Sequence, residues 1–141
     1  MGQLVPVPVL NWNQGWLSIQ PVMLKLNFPP EELKQMHLFI RMYVNELLPW
    51  DSSVKRHGVR GPKWGIDEHM QLECSHMEQL LCIEIRIVTG LTTECLGGAG
   101  FLPRVFRTES GDFQGVISLN NRGNFLGDLY VKTSYHPEAM H

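Results

Sequence analysis

Cationic side chains crowd into one short stretch of an otherwise slightly acidic chain. Lys55, Arg56, His57, Arg60 and Lys63 lie close together, while the 141 residues carry a net charge of −2. This residue pattern suits reversible docking on an anionic surface, because each Lys or Arg held near a charged leaflet contributes about 1 kcal/mol within a Debye length. Arg41, on the solvent side of the preceding strand, is an outer contributor. The competing role for the same residues is a solvated hairpin whose charges keep a strand edge from aggregating. The chain as a whole has no basic excess, so no nucleic-acid partner is expected.

Other residues with chemical potential are less well arranged. His69, Cys74, His76 and Cys82 have the donor types of a zinc site, but their spacing matches no finger or knuckle. No Cys or His sits in a nucleophile turn, and clustered carboxylates suited to acid–base work are absent. Leu96-Gly97-Gly98-Ala99-Gly100 lacks the Lys-Ser/Thr and the helix that a phosphate loop requires, which predicts a tight interstrand connection instead. No metal, cofactor or catalytic activity is expected. Trp12 and Trp16, in a proline-flanked N-terminal segment, are candidates for an exposed apolar contact with lipid or partner. Trp64, beside Pro62, is expected in the core.

These side chains must be positioned by strands. Hydrophobic content of 43% with 18% charged residues excludes a disordered tail, and the length suits one core. Leu17–Ile19 and Val22–Leu26 read as strand, interrupted at Pro21 by an edge or bulge. Pro29-Pro30-Glu31-Glu32 opens a helix of one or two turns, its acids placed at the positive end of the dipole. His37–Val44 alternates, with Leu38, Ile40, Met42 and Val44 toward the core and Phe39, Arg41 and Tyr43 toward solvent. Further strands follow at His69–Cys74, Leu80–Val88, Phe113–Leu119 and Gly127–Tyr135. Short strands separated by turn signals predict an all-β sandwich or barrel. Val5-Pro6-Val7-Pro8-Val9 cannot be a central strand, because alternate prolines remove ladder donors. Residues 1–14 are therefore expected to form an extended arm, and 15–136 the folded domain. With three cysteines and no signal peptide, the thiols are expected reduced and the chain cytoplasmic, peripheral at membranes where it docks.

The order of these pieces resembles a C2 domain, the eight-stranded antiparallel β-sandwich known for calcium and phospholipid binding. Gly15-Trp16-Leu17-Ser18-Ile19 is similar to its first strand, and Gly61-Pro62-Lys63-Trp64 to its Asn-Pro-x-Trp turn. Ile83–Val88 matches Leu-x-Ile-x-Val-x-Asp without the aspartate, and Gly127-Asp128-Leu129-Tyr130-Val131 is similar to the closing strand. The resemblance implies a non-catalytic module that docks on anionic phospholipid, such as phosphoinositide, or on an acidic protein surface. It also implies calcium independence, since calcium takes six to eight oxygen ligands and the loops offer only Glu31, Glu32 and Glu94 where the family places aspartates. The alternative is a self-assembling structural or scaffold protein, viral matrix-like or cytoskeletal. It would form a homo-oligomer through the N-terminal arm and exposed apolar residues, with seven methionines as adaptable interface or core filler.

Overall fold

Alternating side chains give each long strand except β7 at Thr92–Phe101 one buried face. The structure is a computed structural model that describes residues 15–45, 47–106 and 112–136. Trp12 and the 1–14 segment lie outside the described residues. The strands are β1 (Trp16–Leu26), β2 (His37–Val44), β3 (Trp50–Asp51), β4 (Lys55–Arg56), β5 (Met70–Glu73), β6 (Leu81–Thr89), β7 (Thr92–Phe101), β8 (Asp112–Asn121) and β9 (Asn124–His136). A single helical turn, α1 (Pro30–Leu33), stands where the proline and acid signals predict it.

Pairing runs β3-β2-β6-β7-β8-β9-β1-β5, with β4 on the same edge of β2 as β3. Arg41 pairs with Asp51 and Leu38 with Lys55 in registers one residue apart, so β3 and β4 are one edge strand broken by a bulge. Counted as one, they leave eight strands among the described residues, the number that the resemblance to a C2 domain implies. Ser52 occupies the break. Its Oγ accepts the Ile40 N–H at 2.8 Å, while its own N–H donates to the Ile40 carbonyl at 2.9 Å. A hydroxyl thus replaces the carbonyl that the bulge removes.

The two layers meet at one loosely paired corner, where Gly98 opposite Asn120 is the single register pair between β7 and β8. Between the layers lie Leu38, Ile40 and Met42 of β2, Ile83 and Ile85 of β6, Leu17 and Ile19 of β1, and Leu129 and Val131 of β9. Phe106 closes one open side, edge-on to Phe101 at 5.0 Å and tilted against Phe113 at 5.3 Å. Trp64 is buried, and its indole N–H donates to the Ser53 carbonyl at 3.1 Å.

Two details differ from the sequence pattern, and one alternative is resolved. The glycine run at 97–100 is no connection but lies within β7. A side chain at Gly98 would strike the Ile83 carbonyl oxygen, so glycine is what lets β7 lie against β6 there. Of the edge or bulge expected at Pro21, the bulge is found, between Pro21 and Met23 in the pairing with β9. Phe39 is buried on the outer face, because the Arg41 guanidinium lies over its ring at 5.6 Å.

Replacing Ser52 by Ala leaves the buried Ile40 N–H without an acceptor and should cost about 1–3 kcal/mol in denaturant unfolding. Gly98→Val should destabilise by at least the cost of an overpacked site, about 1–3 kcal/mol. A Ser52→Ala protein as stable as the parent would show that the bulge does not depend on its hydroxyl.

Candidate functional site

Strand directions sort the loops onto two ends. The 27–36 connection, the 57–69 connection, the β6–β7 turn and the β8–β9 turn all leave the same end, as the antiparallel registers require. Two of them carry bare aliphatic tips. Leu91 is fully exposed at the two-residue β6–β7 turn, where Gly90 takes φ +67°. The neck of that turn is tied by the Thr92 hydroxyl donating to the Thr89 carbonyl at 3.1 Å, which holds Leu91 outward. Val59 is 89% exposed between Gly58 at φ +64° and Gly61 at φ +81°. A Cβ at Gly61 would overlap the Leu24 carbonyl, so this loop is held hard against β1. Half-exposed Phe125 joins them beside the β8–β9 turn.

The predicted basic cluster does not form one surface. Lys55 pairs with core-facing Leu38 and Arg56 with exposed His37, so consecutive residues point to opposite faces of the sheet. Arg56 lies flat, its Nε donating to the Lys34 carbonyl at 2.9 Å. His57 is only 4% exposed and belongs to the fold, not to a docking surface. Its Nε2 accepts the Leu26 N–H at 3.3 Å and its Nδ1–H donates to the Gly58 carbonyl at 2.9 Å, so both ring nitrogens are engaged within the fold. Arg60 stands at the loop tip beside Val59. Lys63 is carried to the other sheet, bridging to Met23 of β1.

Arg41 and Arg56 do share the outer face of β2 and its edge, but Arg41 is spoken for. Its guanidinium grips Asp51 through two parallel bonds, 2.8 Å from Nε to Oδ1 and 3.0 Å from Nη2 to Oδ2. The hydrogen bond to Asp51 raises its pKa further. Next to it, Arg86 bonds Glu84 at 2.7 Å. Burial works against the charged form of Glu84. Hydrogen bonds from Tyr43 and Arg86, with the charges of Arg86 and Arg41, nevertheless hold its carboxyl below the ordinary carboxylate range. Tyr43, bonded to Glu84, is raised well above its usual value. On this face Arg41 and Arg86 are therefore neutralised in ion pairs, and of the predicted cluster Arg56 alone keeps an unpaired charge there.

The zinc-like set is dispersed. Burial first, then the Glu73 charge, pushes the Cys74 thiol up to about 11, and His69 donates Nδ1–H to the Ile66 carbonyl at 3.0 Å. Among the described residues, no three His, Cys, Asp or Glu are placed to hold a metal. Trp16 is 43% exposed at the start of β1, as its proline-flanked setting predicts. The signals missed in the sequence were Val59 and Leu91. Each is a lone aliphatic beside a glycine in a turn, and only the fold shows that both turns face one way.

The fold is similar to that of several solved structures. The first C2 domain of plant extended synaptotagmin 1 matches with a TM-score of 0.73 at 15% identity, over 91% of this chain and 98% of that one. The fold is that of a C2 domain. A structure of two linked C2 domains of extended synaptotagmin 2 matches at a TM-score of 0.68 and 16% identity, over 89% of this chain and 42% of that chain. Human GIVD cytosolic phospholipase A2 matches at 0.66 and 11% identity, over 90% of this chain but only 18% of the enzyme. No protein-family model and no curated protein matches the sequence. In this C2 fold the bare tips lie on the loops after β4 and β6, with Phe125 beside the turn after β8. No helix among the described residues is long and apolar enough to cross a membrane.

His57→Ala should lower stability by about 1–3 kcal/mol in denaturant unfolding by stranding the Leu26 N–H. The depressed Glu84 pKa contributes stability that is fully present above the unfolded value of about 4.3 and is lost as pH falls through the folded value. Glu84→Gln should therefore unfold with a shallower dependence on pH below about 5. An acid limb of unchanged steepness would remove Glu84 from the acid response.

Proposed function

We propose that the chain is a non-catalytic, calcium-independent docking module that seats its loop end on a phospholipid membrane. The observation that carries this reading is the pair of bare tips, Leu91 and Val59, on one end of a rigid sandwich. Magnitudes decide which force leads. Full transfer of a Leu or Val side chain out of water is worth about 1.5–3 kcal/mol each. At the rim, Lys34, Lys55, Arg56, Arg60 and Arg122 stand against Glu31, Glu32 and Glu94, an excess of two positive charges, 5 − 3. Two net charges near an anionic leaflet contribute about 2 kcal/mol. Apolar insertion leads, and Arg56 and Arg60 add a modest preference for anionic headgroups.

Calcium independence is supported by the donor inventory. Glu31 and Glu32 sit in the first turn of α1, and Glu31 is engaged with Lys34 at 3.6 Å. That leaves few of the hard oxygens that calcium requires. An acidic protein surface remains the partner if vesicles fail to bind.

The test is sedimentation with neutral and with anionic vesicles, at low and high salt, with calcium or with chelator. Leu91→Asp combined with Val59→Asp should weaken binding by well over about tenfold at unchanged melting temperature, since two buried side chains are lost. High salt should reduce binding only about two- to fivefold, and chelator should change nothing. Binding that survives the double Asp variant, or that appears only with calcium, would overturn the loop-end reading.

A further inference from the structure

The outer face of the second sheet, away from the loop end, carries a groove that the membrane reading leaves unused. It runs over β1, β8 and β9 with a volume of about 630 Å³, walled on one side by Ile66, which is 82% exposed on the turn before β5. At Gln114 and Lys132 it continues into a second hollow of about 350 Å³, floored by Met23, Val116 and Tyr130. Lys63 lines that hollow with Lys132. Among the described residues neither lysine has an ion-pair partner, since the ion pairs formed are those of Lys34, Arg41, Arg86 and Arg104.

The register explains how these groups come together. Gln20, Lys132 and Gln114 are cross-strand neighbours on β1, β9 and β8, and Ser18 pairs with Ser134 one step along. Gln71 extends the same face from β5, opposite Ser18. No side-chain hydrogen bond within the described residues engages Gln20, Gln71 or Gln114. An amide offers both donor and acceptor, which is what the alternating N–H and C=O groups of an extended backbone require. From Tyr130 to His136 the face is about 20 Å long, room for about six extended residues. A compact lipid headgroup would be served by clustered cations; this surface instead spreads neutral amides along its length, with Lys132 where the two hollows meet, Lys63 in the second and the carboxylate of Asp112 on the wall of the first.

We propose that this groove binds an extended polypeptide segment from a partner protein, whose Asp or Glu side chain lies between Lys63 and Lys132. Apolar side chains of the segment rest on Met23, Val116 and Ile66, and the glutamine amides meet its backbone. The complementary charge is what selects the partner, because like charge at a docking face is strongly disfavoured. The site works independently of the loop end and leaves the module able to hold a protein while its tips rest on a membrane.

The experiment records amide resonances of the full chain with two pools of peptides of about nine residues, the length of an ordinary strand with flanks. Both pools vary Val, Thr, Ser and Gln, with Glu fixed at the centre of one and Lys at the centre of the other. The Glu pool should shift the resonances of Gln20, Gln114 and Lys132 and the Lys pool should not. Lys63→Glu with Lys132→Glu should weaken the Glu pool about tenfold or more and admit the Lys pool, since it inverts the charge that selects the ligand. Lys132→Gln, a milder change on an exposed strand position, should weaken the Glu pool in the same direction. Peptide binding should persist in the Leu91→Asp, Val59→Asp protein even if that protein, or the parent, ignores vesicles. Equal shifts from both pools, no shifts on this face at millimolar peptide, or loss of vesicle binding on lysine reversal without any peptide effect would each overturn the proposal.

Discussion

Backbone hydrogen bonding at the 22–26 stretch of β1 is the constraint on which the rest of the molecule depends. Beyond the bulge after Pro21, this stretch must satisfy partners on both flanks at once. Leu24 donates to the Pro62 carbonyl at 3.1 Å, Trp64 donates to the Val22 carbonyl at 3.0 Å, and Leu26 donates to the His57 ring. On its other side the same stretch pairs with β9 from Met23 to Leu26. A histidine and a proline-containing loop thus complete a sheet edge that a regular strand would otherwise fill. Buried backbone groups left unpaired are costly, so the 57–64 segment has one place to go.

That obligation settles the fate of the basic stretch. Once His57 is consumed by Leu26 and Gly61 is pressed on the Leu24 carbonyl, the residues between them can only form a protruding loop. Val59 and Arg60 are therefore displayed at the end of the sandwich, while Lys63 is delivered to its flank. A run of cations that is contiguous in sequence is distributed over three surfaces by the alternation of β4 and the turn of this loop. The electrostatics follow the topology. The sheet face where cations were expected balances itself through Arg41 with Asp51 and Arg86 with Glu84. Lys63 and Lys132, without ion-pair partners among the described residues, stand on the opposite sheet.

The two outer faces consequently differ in kind. One is a network of ion pairs with Tyr43 and Phe39 packed into it, its hydrogen bonds already made within the chain. The other has glutamine amides with capacity to spare around those two lysines. Neither contributes to the core, so neither is constrained by packing. What differs between them is whether the cations find a carboxylate within reach: Arg41 meets Asp51 and Arg86 meets Glu84 on the first, while Lys63 and Lys132 form no ion pair among the described residues on the second.

By itself the sequence determined β1, β2, β5, β6, β8 and β9, their buried faces and the short turn of helix at α1, because these rest on local periodicity and on proline and glycine geometry. Leu38, Ile40, Met42 and Val44 are buried as their alternation requires, and Trp64 is buried beside Pro62. The likeness to a C2 domain was legible in the order of these pieces, and the count of eight strands came with that likeness. The broken edge at Ser52 and the placement of the glycine run inside β7 were not, since each depends on a contact with a strand distant in sequence. Only the tertiary structure decided which charges stand free. An ion pair such as Arg41 with Asp51 forms across strands whose register no local pattern encodes. Likewise, the common direction of Val59 and Leu91 exists only once antiparallel pairing has brought their two turns to the same end.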